Sequence, residues 1–127
     1  MKSDNINLVE MFLAGLEQKS IEIMPLADDI VLISPLRPEL PCGGREAVTT
    51  FLKQQVFPSF PKLKANIERH LVDENAICTL WQAYFSNGIV VSIADYFLIE
   101  KNRLKLIRPY FDPRLLINNM NNILSIN

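Results

Sequence analysis

The residue in this chain best suited to chemistry is an acid set in the middle of an apolar run. Asp95 lies in IVVSIADYFLI, with Ile93 and Ala94 before it and Tyr96 and Phe97 after it. A carboxylate buried without a partner is very costly, so the group must be neutral, paired or close to water. An apolar site that keeps it protonated makes a general acid or hydrogen-bond donor. The plainer role is structural, with the carboxyl bonded to a neighbouring Tyr, Arg or backbone N–H. Other chemistry-bearing residues are sparse. One His and two distant Cys, Cys42 and Cys78, do not suggest a metal site. A lone His such as His70 is more often a surface or satisfied residue than a base, and its facing is undetermined. Gly43-Gly44 is too short to cradle a phosphate, and Arg45 after it reads as structural.

Three strands must position Asp95: ICTLWQAYFS, IVVSIADYFLI and RLKLIRPYFD. Asn87-Gly88 between the first two is a strong signal for a two-residue hairpin turn. That loop sets Tyr84 opposite Val91, Gln82 opposite Ile93, Leu80 opposite Asp95 and Cys78 opposite Phe97. Because side chains alternate, one face then carries Cys78, Leu80, Gln82, Tyr84, Val91, Ile93, Asp95 and Phe97. The other carries Thr79, Trp81, Ala83, Phe85, Val90, Ser92, Ala94, Tyr96 and Leu98. Neither face is polar, so both must be covered. The face with an acid, an amide and a phenol among apolar residues has the lining of a ligand pocket. Tyr84 and Gln82 would orient a ligand oxygen there, or satisfy one another at a wet rim. Cys78 reads as a core thiol.

The preceding chain supplies helices. Asp4 is placed to cap a first helix bearing Ile6, Val9, Phe12, Leu13 and Leu16. Ser20 is placed to cap a short second helix, SIEIMPLA, that Pro25 stops or bends. Asp28-Asp29 reads as a break, IVLIS as a strand, and Pro35 to Gly44 as an irregular loop. A third helix runs from Arg45 to about Phe57, ended by Pro58 and Pro61. Leu63 to Val72 is a further strand, and Pro113 fits the first turn of a C-terminal helix. Helices first and strands later give an α+β arrangement in one domain, 1–127, with helices inside the curve of the sheet. The apolar outer face, with Trp81 and Phe85, predicts a homodimer; the C-terminal helix is the alternative cover.

Apolar residues make up 49% and charged residues 21%, an ordinary globular balance. A net charge of −1 without a basic cluster argues against nucleic acid or an anionic membrane as partner. The N-terminal MKSDNINLVE lacks the apolar core of a signal peptide, and no apolar run is long enough to span a bilayer. A cytoplasmic protein with reduced thiols is expected.

The pattern ADD-hydrophobics-SP…GGREAV, followed by DYFLIEKNRLKLIRPYFDP, resembles the nuclear-transport-factor-2-like superfamily. The resemblance is nearest to its SnoaL-like and ketosteroid-isomerase-like branch and covers roughly Leu8 to Pro113. It implies a cone-shaped, curved antiparallel sheet wrapped around helices, with an internal apolar cavity, often in a dimer. Members include isomerases, cyclases, dehydratases, epoxide hydrolases and non-catalytic adaptors, so the fold alone does not give the function. Ketosteroid isomerase uses an Asp base with a Tyr and a protonated Asp as oxyanion donors. The base position falls here on Ser34 before Pro35, the Tyr on Phe12 and the second acid on Asp95. One of the three survives, and Ser34 has no useful basicity at neutral pH.

The last strand has two registers. A two-residue loop at Lys101-Asn102 sets Arg108 opposite Asp95; a three-residue loop with Asn102 in the left-handed region turns Ile107, Pro109 and Phe111 inward. The resemblance favours the second, since the family's aromatic at the Phe111 position lines the cavity. The expectation is a pocket for a small apolar or oxygenated ligand, with Asp95 and Tyr84 as donors. Phe12, Ser34, Cys78, Leu80, Gln82, Val91, Ile93, Phe97, Ile107 and Phe111 would line it. No cofactor is implied. An acid–base isomerase, cyclase or dehydratase, a non-catalytic ligand binder and a dimeric protein-interaction module all fit.

Overall fold

The computed structural model describes residues 2–59 and 62–114. Helix α1 (Lys2–Gln18) leads through a 3₁₀ turn (Ile21–Ile23) into β1 (Leu26–Leu32). A loop returns as β2 (Cys42–Gly43) and enters α2 (Arg45–Phe51), which continues as a π turn (Leu52–Val56) and a last helical turn, α3 (Phe57–Ser59). The long strands β3 (Lys64–Asp73), β4 (Ala76–Tyr84), β5 (Val90–Glu100) and β6 (Arg103–Tyr110) follow. Together they form one curved, unclosed sheet in the order β2-β1-β6-β5-β4-β3. The pairing is antiparallel except where β1 lies parallel to β6.

The α+β cone expected from the sequence is present, but its N-terminal elements differ in detail. Asp4 lies in the first turn of α1, not ahead of it, where its charge still faces the positive end of the helix. The second helix shrinks to the 3₁₀ turn, and Ser20 makes no capping bond. Asp28 and Asp29 are strand residues of β1, with Asp29 ion-paired to Lys105 of β6. Cys42 and Gly43 form a short strand within the segment read as irregular. Pro58 does not end the third helix; it lies inside α3. Lacking an N–H, it cannot serve the carbonyl of Gln54. The turn before it is wound wide, with the Phe57 N–H donating to the Leu52 carbonyl. Pro61, and the C-terminal helix beyond Arg114, lie outside the described residues.

Three local irregularities decide which side chains face inward. Between β4 and β5 the loop is Ser86-Asn87-Gly88, closed by the Phe85 N–H donating to the Ile89 carbonyl (3.0 Å). A two-residue turn of the expected type needs positive φ at both Asn87 and Gly88; only Gly88 has it, at +88°. The extra loop residue moves the register by one. Trp81 pairs with Ile93, Thr79 with Asp95 and Ile77 with Phe97. A one-residue slip exchanges the faces of an entire strand. Cys78, Leu80, Gln82 and Tyr84 therefore lie on the outer face, and Thr79, Trp81, Ala83 and Phe85 on the inner.

Between β5 and β6 the turn is the two-residue Lys101-Asn102, both with positive φ (+53° and +60°). Ile99 pairs with Leu104 and Leu98 with Leu106, leaving Lys105 as a bulge. The bulge offsets the short turn, so Ile107 and Pro109 point inward after all. Pro109, not Ile107 or Arg108, stands opposite Asp95. A second bulge, at Glu68 of β3, turns His70 inward opposite Thr79.

The core fills the concave side. Val9, Phe12 and Leu13 of α1 and Val48 and Phe51 of α2 pack against Ile77, Phe97, Leu104 and Ile107 of the sheet. Phe12 meets Phe97 edge-to-face, with ring centroids 5.8 Å apart. No helix among the described residues is long and apolar enough to cross a membrane.

Candidate functional site

A pocket of about 100 Å³ opens between the helices and the inner face of the sheet. Helix α1 contributes Phe12 and Leu16, and the widened end of α2 contributes Phe51, Leu52 and Val56. From the sheet come Trp81 and Phe85 of β4 and its loop, Ile93 and Asp95 of β5, and Ile107 and Pro109 of β6. Phe111 and the β1–β2 loop residues Ser34 and Leu36 complete the wall. Among the described residues, Asp95 is the one titratable group in the lining.

Asp95 is almost fully buried, 3% exposed. The indole Nε1–H of Trp81 donates to its Oδ2 at 2.8 Å. Burial pushes the carboxyl up from 3.8 to about 7, with the Trp81 bond pulling weakly the other way. The raised acid expected from the sequence is thus found, with a partner the sequence reading had placed on the opposite face. No described residue bonds Oδ1. Ser34 is also buried, but its Oγ accepts the Leu36 N–H at 3.1 Å and so serves its own turn first.

Of the residues read as pocket lining, Phe12, Ser34, Ile93, Ile107 and Phe111 meet around Asp95. Val91 and Phe97 face the same way but are sealed in the core, 3% and 0% exposed. Tyr84, Gln82, Leu80 and Cys78 are corrected by the register shift. Tyr84 is 43% exposed on the outer face, and Gln82 is engaged there with Asn66 and Glu68. Cys78 is half-buried on that same face, and Cys42 lies buried inside; both are free thiols. Trp81 and Phe85, read as interface residues, are pocket residues. Pairing the more apolar face of β4 with the inner face of β5 would have found them from sequence.

Asp95 at about pH 7 is poised to donate a hydrogen bond or proton to an oxygen atom bound in the pocket, and to accept one when ionised. The apolar wall supplies affinity but no charge. Among the described residues no group of His, Cys, Asp and Glu could hold a metal ion.

The model of the family described as a domain of unknown function, DUF4904, matches residues 1–126. No curated protein matches the sequence. Among solved structures, an NTF2-like protein of unknown function from Cytophaga hutchinsonii is 19% identical with a TM-score of 0.71, over 89% of this chain and 94% of that one. A protein assigned as a SnoaL-like polyketide cyclase from Jannaschia sp. is 12% identical with a TM-score of 0.78, over 93% and 92%. An LEH-like epoxide hydrolase from M. tuberculosis is 20% identical with a TM-score of 0.74, over 97% and 93%. At such identities the likeness is one of fold. The chain belongs to the DUF4904 family, and its fold is the one shared by the NTF2-like and SnoaL-like structures it matches.

Proposed function

We propose that this protein binds a small, largely apolar molecule bearing a carbonyl or hydroxyl oxygen, and acts on it without a cofactor through Asp95. The observation that carries the reading is a single carboxyl group, raised to about 7, set in an otherwise apolar aromatic pocket. A protonated Asp95 donates to the ligand oxygen and stabilises charge developing there, as an isomerase, cyclase or dehydratase needs. Trp81 holds the carboxyl in place. Tyr84, on the outer face, has no part in this. The similarity to a polyketide-cyclase-like structure and to an epoxide hydrolase of the same fold supports a small-molecule substrate.

The lone titratable group in the lining favours a second reading, a binder that does no chemistry. Ser34 stands where a ketosteroid isomerase has its base, so Δ5-3-ketosteroids should not be isomerised. Native mass spectrometry of freshly purified protein, followed by identification of any co-purified molecule, tests both readings. A ligand returned chemically altered supports the enzyme, and one returned unaltered supports the binder. A pocket that takes up no apolar carbonyl compound, read by Trp81 fluorescence, removes both. The reading includes a homodimer through the outer sheet face, tested below.

A further inference from the structure

The convex face of the sheet carries a second concavity, a groove of about 270 Å³. Its floor is Leu80 of β4 with Ser92 and Ala94 of β5. Tyr110 of β6 walls one side and Glu68 of β3 the other. The bulge between Ile67 and Arg69 is what adds Glu68 to this face. The side-chain amide of Asn66 donates to Gln82 Oε1 at 2.9 Å, and Gln82 Nε2 donates to Glu68 Oε1. The carboxylate is thereby held over the groove, and among the described residues nothing bonds its Oε2. On the other side, Arg108 lays its guanidinium over the Tyr110 ring, 5.3 Å from the centroid. Glu68 and Arg108 are both exposed, and among the described residues neither has an ion-pair partner.

Strands β4 and β5 lie between β3 and β6, which sets Glu68 and Arg108 about 14 Å apart across the sheet. The anion and the cation flank one apolar strip, Leu80 and Ala94, and do not meet within the chain. A face built in this way is complementary to itself. A two-fold axis laid along the line between β4 and β5 exchanges β3 with the partner's β6, and β4 with the partner's β5. It brings each unpaired charge over its opposite. We propose that a second copy of this chain docks in the groove, setting the partner's Tyr110 against Leu80 and the partner's Arg108 on the Glu68 carboxylate. The same contact is made in reverse on the other side of the axis. The inference rests on the chain pairing through its convex face.

Self-complementarity is what a closed symmetric pair requires of a single surface patch. A partner of different chemistry would need no matched anion and cation on the same face. The side chains are those of an interface centre: Tyr and Arg are the usual anchors, and Tyr110 is 51% exposed beside a groove that can receive it. The hydrogen bond from Gln82 fixes the carboxylate in advance, so little order is lost when the guanidinium arrives.

The test is sedimentation equilibrium of the full chain, with Glu68→Arg and Arg108→Glu made singly and together. The wild type should be a dimer. Each single reversal sets like charges against one another at both contacts and should weaken the dimer by about 100-fold. Mixing the two single variants restores opposite charges at both contacts, so a heterodimer should form. The double variant should dimerise with itself for the same reason. A wild type that stays monomeric at every concentration overturns the proposal together with the convex-face dimer. A wild-type dimer that keeps its mass in either single reversal overturns the pairing alone, as do single variants that fail to associate when mixed. If a reversal does not fold, read by circular dichroism, Glu68→Gln and Arg108→Gln decide. Combined, they should weaken the dimer no more than either does alone, and additive losses would reject the pair. No ligand is present, so the outcome is separate from whether the inner pocket binds one.

Discussion

Asp95 and Trp81 share one hydrogen bond, and the chain has one tryptophan. Trp81 emission should therefore report Asp95 directly, shifting with a midpoint near pH 7 in the wild type and losing that transition in Asp95→Asn. The same acid couples stability to pH. Its carboxyl is raised in the folded state from 3.8 to about 7, so the folded chain binds a proton that the unfolded chain releases. The Asp95 contribution is most favourable below about pH 3.8 and is lost as pH rises to about 7, where the full burial penalty is reached. Asp95→Asn, which keeps an acceptor for Trp81, should be more stable than wild type at pH 8.5 and show little or no gain at pH 4. Urea denaturation at the two pH values measures the difference. Trp81→Phe removes the bond that favours the carboxylate, so the Asp95 pKa should rise further, as read by carboxyl ¹³C NMR.

At the scale of elements, a helix and three irregularities build the pocket. Helix α1 crosses the sheet close to the following turn because Gly15 has no side chain. A Cβ there would lie 2.6 Å from Met24 Cγ and 2.9 Å from the Ser20 carbonyl oxygen. Met24 is itself buried, at 3% exposure. Helix propensity alone says that Gly15→Ala should stabilise by up to about 1 kcal/mol. Overpacking costs about 1–3 kcal/mol and falls here partly on backbone that cannot swing aside. The net result should be a loss of about 1 kcal/mol, seen as a lower urea midpoint at unchanged slope. The loop at Gly88 and the bulges at Lys105 and Glu68 act differently. They cost little themselves but determine whether Trp81, Ile107 and His70 face the pocket side or the solvent.

For the molecule as a whole, the convex face of the sheet carries a set of exposed apolar side chains. Of the large apolar residues more than 40% exposed among those described, Leu71, Tyr84, Val90 and Tyr110 belong to this sheet, and Met11 and Leu40 do not. A shared apolar sheet face on a small domain is a site for self-association. The interface residues suggested by the sequence, Trp81 and Phe85, face inward and are not a test of it. Leu71→Glu combined with Tyr110→Glu should give a monomer by light scattering, with Trp81 emission unchanged because the pocket lies on the other face. A double variant that keeps the wild-type mass would reject the dimer.

The sequence by itself determined the order of the long elements, α1, the third helix and the four C-terminal strands, and the unusual position of Asp95, because periodicity and the cost of a buried acid are local properties of the residues. It also carried a resemblance whose implied α+β cone is the fold observed. What only the tertiary structure decided was the partner of that acid. Asn87-Gly88 is compatible with a two- or a three-residue loop, and local turn preference favours the shorter. Packing favours the longer, because it brings Ile77, Trp81, Ala83 and Phe85 onto the same side as Val91, Ile93 and Phe97. That gain is collective and exists only once the helices cover the face. The facing of Ile107 was read correctly from a wrong loop, since a short turn and a bulge together reproduce the alternation of a longer one. The facing of His70 had no signal, because a bulge at Glu68 follows from strand pairing and not from the residues of β3.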